Sequence, residues 1–170
     1  SSAAPRPVAF VSTVDKAGNV NLSPFSFFNV FSTRPPVVVF SPARSGRTNT
    51  TKNTHDNVLE VPECTINVVT HGMVHQMSLS SSEYPKGVNE FVKAGFTMLP
   101  SESVRPPRVK ESPFQMECKV LEVKELGDGP GAGNLIIAEI IRFHVSEDVL
   151  NEKGLIDQRK LDLVGRAGAN

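Results

Sequence analysis

Apolar and polar positions fall into short alternating runs along this chain. "VAFVSTV" (8–14) is compact and β-branched, and "DKAGN" (15–19) supplies the Asp, Gly and Asn of a turn before "VNLSPFSFF" (20–28) begins. The pattern predicts a hairpin. Beyond Pro35 and Pro36, "VVVFS" (37–41) is apolar on both faces, as a buried strand is, and "CTINVVT" (64–70) alternates like another. "GVNEFVKAG" (87–95) places Val88, Phe91 and Val92 at helical spacing with Gly95 as the stop. "FQMECKVLEV" (114–123) and "LIIAEIIRFHV" (135–145) flank the glycine-rich "GDGPGAGN" as a second, longer hairpin. The polar "RTNTTKNTHDN" (47–57) reads as a loop running into a short helix that its hydroxyl and amide side chains cap. About six strands, mostly joined by short turns and accompanied by two or three short helices, predict a mainly β fold, an antiparallel barrel. A doubly wound sheet would need a helix after nearly every strand.

A length of 170 residues suits one domain with a real core, and "SESVRPPRVKESP" (101–113), the one candidate boundary, reads as a surface loop within it. Eighteen basic and 18 acidic side chains balance, so no basic field is available for nucleic acid or an anionic membrane. The most hydrophobic run, "LIIAEII" (135–141), is far shorter than a bilayer and contains Glu139. The expectation is a soluble, cytoplasmic protein with neither partner. "SSAAPRP" at the start lacks an initiator Met and the features of a signal peptide, and reads as preceded by further residues. Cys64 and Cys118, each in an apolar stretch without C-x-x-C spacing, read as small buried hydrophobes in a reducing compartment.

Three patterns invite chemistry and are set aside. "GDGPGA" (127–132) formally fits a dinucleotide fingerprint, but a β-branched strand follows where a helix is needed, so it reads as a hairpin turn. His71 and His75 have zinc-ligand spacing, yet Gly72 stands where a zincin carries Glu and no third ligand is near. His55 and His144 show no evident partners, and no nucleophile elbow or Cys/His arrangement is present.

Two stretches remain. "NLSPFSFFN" (21–29) places Pro24 inside a strand, which predicts a break there with unpaired backbone groups, and concentrates Phe25, Phe27 and Phe28 around it. A flavin could pair its pyrimidine edge with those groups and cover its dimethylbenzene end with phenyl rings; the alternative is an edge strand with a bulge and a hydrophobic subunit interface, and the two readings are compatible. Directly after "VVVFS", "SPARSGRTNTTKN" (41–53) offers Ser41, Ser45, Arg47, Thr48, Asn49, Thr50 and Lys52 ahead of a helix N-terminus. That is the composition of a phosphate cradle, and also of an ordinary capped polar loop.

The chain further resembles a known family. "PRPVAFVSTVDKAGNVNLSPFSFFNVFSTRPPVVVFS" is similar to the N-terminal half of the flavin reductase-like, FMN-binding split-barrel proteins, and "GVNEFVKAGFTMLPS", "ESPFQMECKV" and "AEIIRFHV" continue the match. The resemblance implies an antiparallel split barrel, a homodimer with FMN near the subunit interface, and NAD(P)H-dependent flavin reduction or flavin-mediated electron transfer; an electron-accepting oxygenase or redox protein is a candidate partner. It implies that Asn21, Leu22, Ser23, Pro24, Ser26 and Asn29 lie along the isoalloxazine and ribityl chain. Ser41, Arg47, Thr48, Asn49 and Thr50 would attend the phosphate, and Arg166 of "GRAGAN" would touch the flavin. Thr48 and Asn49 stand where the family has Lys and Asp, Thr50 and Asn53 agree, and Arg47 or Lys52 has to supply the missing charge. No catalytic side chain is required, because the hydride chemistry belongs to the cofactor; the backbone donors of 22–26 are the candidates for stabilising charge on it. An FMN-dependent NAD(P)H:flavin oxidoreductase leads, ahead of a non-enzymatic FMN electron carrier and a split-barrel binding protein with a degenerate flavin site.

Overall fold

The Asp15 carboxylate accepts the backbone N–H and side-chain amide of Asn19, at 2.8 and 2.9 Å, and so closes the first hairpin where its turn residues place it. In the computed structural model, which describes residues 3–167, β1 (Arg6–Pro7) and β2 (Ala9–Val14) precede this turn and β3 (Val20–Phe25) follows it. Then come β4 (Phe28–Thr33), β5 (Pro36–Phe40), helix α1 (Asn53–Glu60) and β6 (Glu63–Val68). A 3-10 turn at His71–Met73 leads into α2 (Val74–Ser80), followed by α3 (Glu90–Ala94), β7 (Met98–Leu99) and β8 (Arg108–Val109). The long hairpin is β9 (Phe114–Glu125) and β10 (Asn134–Val145); α4 (Gln158–Leu161) and β11 (Gly165–Arg166) complete the described chain.

Seven strands make one antiparallel sheet in the order β3-β2-β6-β9-β10-β5-β4. The architecture is the antiparallel split barrel, with the sheet open between β3 and β4. Irregularities in register near Ile137 and Ile140 bend the β9–β10 hairpin, so that its two strands can pair outward with β6 and β5 on a curved surface. Val11, Phe40, Ile66, Ile136 and Ala138 fill the concave side with Cys64 and Cys118, which face one another across β6 and β9. Both thiols are buried, as expected, and the neighbouring Cys64 thiol together with burial pushes Cys118 well above the usual thiol range. Phe10, Leu22, Met73, Phe91 and Phe96 form a second core under α2 and α3, with Phe10 and Phe96 edge to face at 5.3 Å.

Several expectations need correction. The strand does not break at Pro24: β3 runs through Phe25, with Pro24 opposite Phe10, and the bend falls at Ser26–Phe27. Leu22 and Pro24 share the parity that points backbone groups away from β2, toward the sheet's open edge. A missing N–H there removes no ladder hydrogen bond. Among the described residues six strands become eleven because β1, β7, β8 and β11 are two-residue pairings, too short to leave a sequence pattern, and "VNLSPFSFF" supplies parts of two strands. The helix after the polar loop starts only at Asn53, and its N-cap residue, Lys52, offers no side-chain cap. By contrast Asn89 caps α3 and Gly95, at φ 76°, ends it as the pattern predicts. α2 is an addition to the expected helices; Met73, just before it, and Met77 within it pack into the second core. Among the described residues no helix is long and apolar enough to cross a membrane.

The 101–113 stretch is anchored rather than free. Val104 and Val109 are buried, and the fully buried Glu117 carboxylate accepts the N–H groups of Glu102, Ser103 and Val104 and pairs with His144, which therefore does have a partner. His55, also buried, lies 3.4 and 3.5 Å from the Asp56 and Glu125 carboxylates. Burial works to raise the Glu117 carboxyl, but the Glu102 N–H, the His144 ring and the Ser103 N–H outweigh it and hold it below the ordinary range. A lowered folded value stabilises the protein above the unfolded carboxyl value, and that contribution is lost as pH falls through the folded one. Glu117→Gln is expected to cost about 2–3 kcal/mol at neutral pH in urea unfolding and to flatten the acid limb of stability.

Candidate functional site

The outer edge of β3 and the loop after β5 converge. Asn21, Ser23, Pro24 and Phe25 form one wall of a cavity of about 470 Å³, and Ala43–Gly46 with Thr50–Thr54 form the opposite wall. Ser81–Tyr84, following α2, and Glu90 of α3 close the side. Two stretches separated in sequence by two whole strands, β4 and β5, thus face each other across a space of ordinary ligand size.

The β3 wall is built by tertiary contacts. The Asn21 side-chain amide donates to the Thr54 hydroxyl at 2.9 Å, tying β3 to the first turn of α1. The edge-facing Leu22 N–H donates to the buried Glu90 carboxylate at 2.9 Å, so the strand's exposed donor is taken by the protein itself. Burial raises the Glu90 carboxyl above the ordinary range against the lowering effect of that N–H. Phe25 lines the cavity while stacking on Phe40 at 5.7 Å, whereas Phe28 packs into the core and Phe27 lies exposed under the Arg6 guanidinium.

The loop wall is a self-organised nest. Ser45 N–H donates to the Thr50 carbonyl, Asn49 N–H to the Ser45 carbonyl, and the N–H groups of Arg47 and Thr48 both reach the Ser45 hydroxyl at 3.3 Å. Asn49 sits in the left-handed region at φ 52°, which Asn tolerates, and the Arg44 guanidinium grips its side chain and its carbonyl. The loop is pinned to the β9–β10 turn by Arg44 N–H on Ala132, at 2.8 Å, and by the Asn49 amide on the Asp128 carbonyl, at 3.0 Å. "GDGPGA" is therefore the hairpin turn expected, and it also supports this wall. Asn53 and Thr54 of the first turn of α1 line the cavity, so backbone donors without intrahelical acceptors lie beside it.

Of the residues singled out from sequence, Asn21, Ser23, Pro24, Phe25, Ser45, Thr50 and Lys52 line this cavity, whereas Arg47 is exposed outside its lining and reaches it only through Glu83. Leu22 contributes only backbone, its side chain being core. Thr48, in the position of the family's Lys, is exposed and shares a 2.8 Å hydrogen bond with the Thr50 hydroxyl. Asn49 supports the loop from behind. Ser41 is directed elsewhere, since its hydroxyl packs so closely on Gly133 that a Cβ there would meet it at 2.7 Å. Asn29 lies on exposed β4 with its carbonyl oxygen turned to the Val30 N–H, outside the cavity. Ser26 and Arg166 line an adjoining cavity of about 480 Å³ that shares Pro24, Phe25 and Ser81 with the first, and Arg6 holds the Ser26 hydroxyl at 3.3 Å. Residues 168–170 of "GRAGAN" lie outside the described chain.

Sequence reading missed the site's acidic groups. Glu83 places its carboxylate 3.1 Å from the Lys52 ammonium, 3.4 Å from the Arg47 guanidinium and 3.5 Å from the Ser45 hydroxyl. The Lys52 hydrogen bond and charge, then Arg47, hold it below the ordinary carboxylate range. Nothing local to Glu83 or Glu90 marks either as part of a site.

Glu90 yields a sign-specific expectation. Its folded carboxyl value is raised, so the stability it allows is complete below the unfolded value and is lost as pH rises through the folded one. Glu90→Gln keeps an acceptor for Leu22 and should remove that loss, seen as a flatter pH dependence of the urea midpoint above the carboxylate range.

Comparison with known proteins fits this arrangement. The model of the family described as flavin reductase like domain matches residues 1–163. An uncharacterised protein of Aquifex aeolicus is 37% identical over 164 residues, 96% of this chain and 81% of that protein. The crystal structure of nitrilotriacetate monooxygenase component B from Bacillus cereus superposes with a TM-score of 0.90 at 35% identity, over 99% of this chain and 84% of that one. A protein with a split-barrel domain from Shewanella frigidimarina gives a TM-score of 0.83 at 27% identity, over 97% of this chain and 79% of that one. With the match running through both walls of the cavity and the whole sheet, the chain belongs to the flavin reductase-like family.

Proposed function

We propose that this chain, read as one flavin reductase-like domain, binds FMN along the open edge of β3 and works as an NAD(P)H-dependent flavin oxidoreductase. The observation that carries the reading is the cavity in which the β3 edge faces the hydroxyl-rich loop and the first turn of α1. The residues present suit a phosphorylated, flat, amphipathic ligand. Ser45, Thr50, Lys52, Arg47 and the N-terminal donors of α1 match a phosphate, with Lys52 and Arg47 replacing the charge absent at Thr48. Pro24, Phe25 and Ser26, shared with or adjoining the second cavity, offer a surface for the ring system, and Arg166 stands at its far side.

Bound FMN would supply the two-electron acceptor for a nicotinamide hydride. The chain's part is to hold and orient. Asn21 and Thr54 fix the spacing between the two walls, while Glu90 occupies the Leu22 N–H and keeps the β3 edge in place. A homodimer is part of the proposal: Phe27, Val30 and Phe31, in and beside the edge strand β4, are 51, 56 and 70% exposed, an apolar strip that a second subunit would cover. An oxygenase as electron acceptor is supported by the likeness to a protein named as a monooxygenase component.

Two measurements test the proposal. Titration with FMN should produce the flavin absorbance shift of a bound complex, and NADH or NADPH should bleach it rapidly under anaerobic stopped flow. Retained flavin without bleaching at millimolar nicotinamide would leave an electron carrier, and no flavin binding would leave a binding protein. Thr50→Ala should weaken FMN binding by about 1.5–3 kcal/mol, the value of a hydrogen bond to a charged group, with riboflavin unaffected.

A further inference from the structure

Resting on the FMN reading above, we propose that Glu83 is an internal competitor for the ligand's phosphate, a residue that sets how tightly the cavity discriminates phosphorylated from unphosphorylated ligands. Its carboxylate stands in the place an anionic ligand would take. It contacts the Lys52 ammonium, the Arg47 guanidinium and the Ser45 hydroxyl, and it lines the same cavity as Thr50 and the first turn of α1.

Charge decides how the contact behaves. Arg47 and Lys52 bring two positive charges and Glu83 removes one, whereas a phosphate monoester carries close to two negative charges at neutral pH. The ester and Glu83 cannot share the two cations without like-charge repulsion, so the carboxylate has to leave as the phosphate enters. Magnitude makes the exchange feasible. The Glu83 side chain is 46% exposed and that of Arg47 84%, and exposed ion pairs are individually weak and screened by salt. A phosphate also gains the Thr50 hydroxyl and the helix N-terminal donors, with which Glu83 makes no hydrogen bond.

The consequence extends beyond the cradle. Glu83 belongs to the segment between α2 and α3, two residues from Ser81, which lines both cavities, and the segment ends at Glu90, which holds the Leu22 N–H. Entry of a phosphate therefore releases Glu83 from its cations beside the wall common to the two cavities. Because the phosphate's contacts with Lys52, Arg47 and Ser45 replace internal ones to Glu83, FMN is held less tightly than the cradle's composition alone would give, in the direction of a flavin that exchanges.

The test compares wild type, Glu83→Gln and Glu83→Ala by fluorescence titration with FMN and with riboflavin, and by calorimetry with inorganic pyrophosphate. Both variants should bind FMN and pyrophosphate more tightly by about two- to thirtyfold, the range spanned by two exposed ion pairs. Riboflavin should change less than twofold, and the gain should shrink at high salt. Unchanged or weaker FMN and pyrophosphate binding in both variants overturns the role of Glu83, and so does an equal gain for riboflavin. If pyrophosphate tightens while FMN binds no form of the protein, Glu83 keeps its role and the FMN reading falls. If FMN binds all three forms alike, the FMN reading stands and Glu83 loses its role.

Discussion

An antiparallel sheet that does not close leaves a row of backbone donors and acceptors without strand partners, and the fate of that row at β3 governs this molecule. Leu22 and Pro24 face the open edge. One donor is taken by a buried carboxylate delivered from α3, and the other is removed by the proline ring, so the edge is a poorer template for another strand to extend. The same two devices leave a flat, partly apolar shelf beside Phe25 on which the candidate cavities are built. Edge protection and ligand surface have a common origin.

The second wall depends on the first for its position but not for its shape. The loop from Arg44 to Lys52 folds on itself through Ser45, Asn49 and Thr50, and the Arg44 guanidinium locks the one strained residue. Its height above the sheet comes from elsewhere: the β9–β10 turn below, and the Asn21 to Thr54 hydrogen bond across the cavity. Such a division suits the FMN site proposed above, in which the phosphate end needs rigid donors and the ring end an open face.

Cationic charge is distributed differently from the family pattern. Where the resemblance expects Lys, Thr48 bonds Thr50, and charge arrives instead from Arg47 and Lys52, both leaning on Glu83. The net charge near the cradle is thus set by a segment distant in sequence. A substitution that looks like loss of function within the loop is read differently once that segment is seen beside it.

Much of this was legible in the amino-acid sequence, and for local reasons. The β2–β3 turn, the β9–β10 hairpin, the Gly95 stop and the burial of Cys64 and Cys118 follow from short-range turn chemistry and apolar patterning, which act over a few residues. Loop composition pointed to Ser45, Thr50 and Lys52, and the family resemblance to Asn21, Ser23 and Pro24; these residues line one cavity. The misassigned features share another cause. Whether Pro24 breaks a strand depends on which side of it lies the neighbouring strand, whether Ser41 faces a ligand depends on Gly133, and whether Glu83 and Glu90 belong to the site depends on how α2 and α3 pack. Strand parity, edge position and long-range hydrogen bonds such as Leu22 to Glu90 arise only when distant segments are brought together, and so only the tertiary structure could decide them.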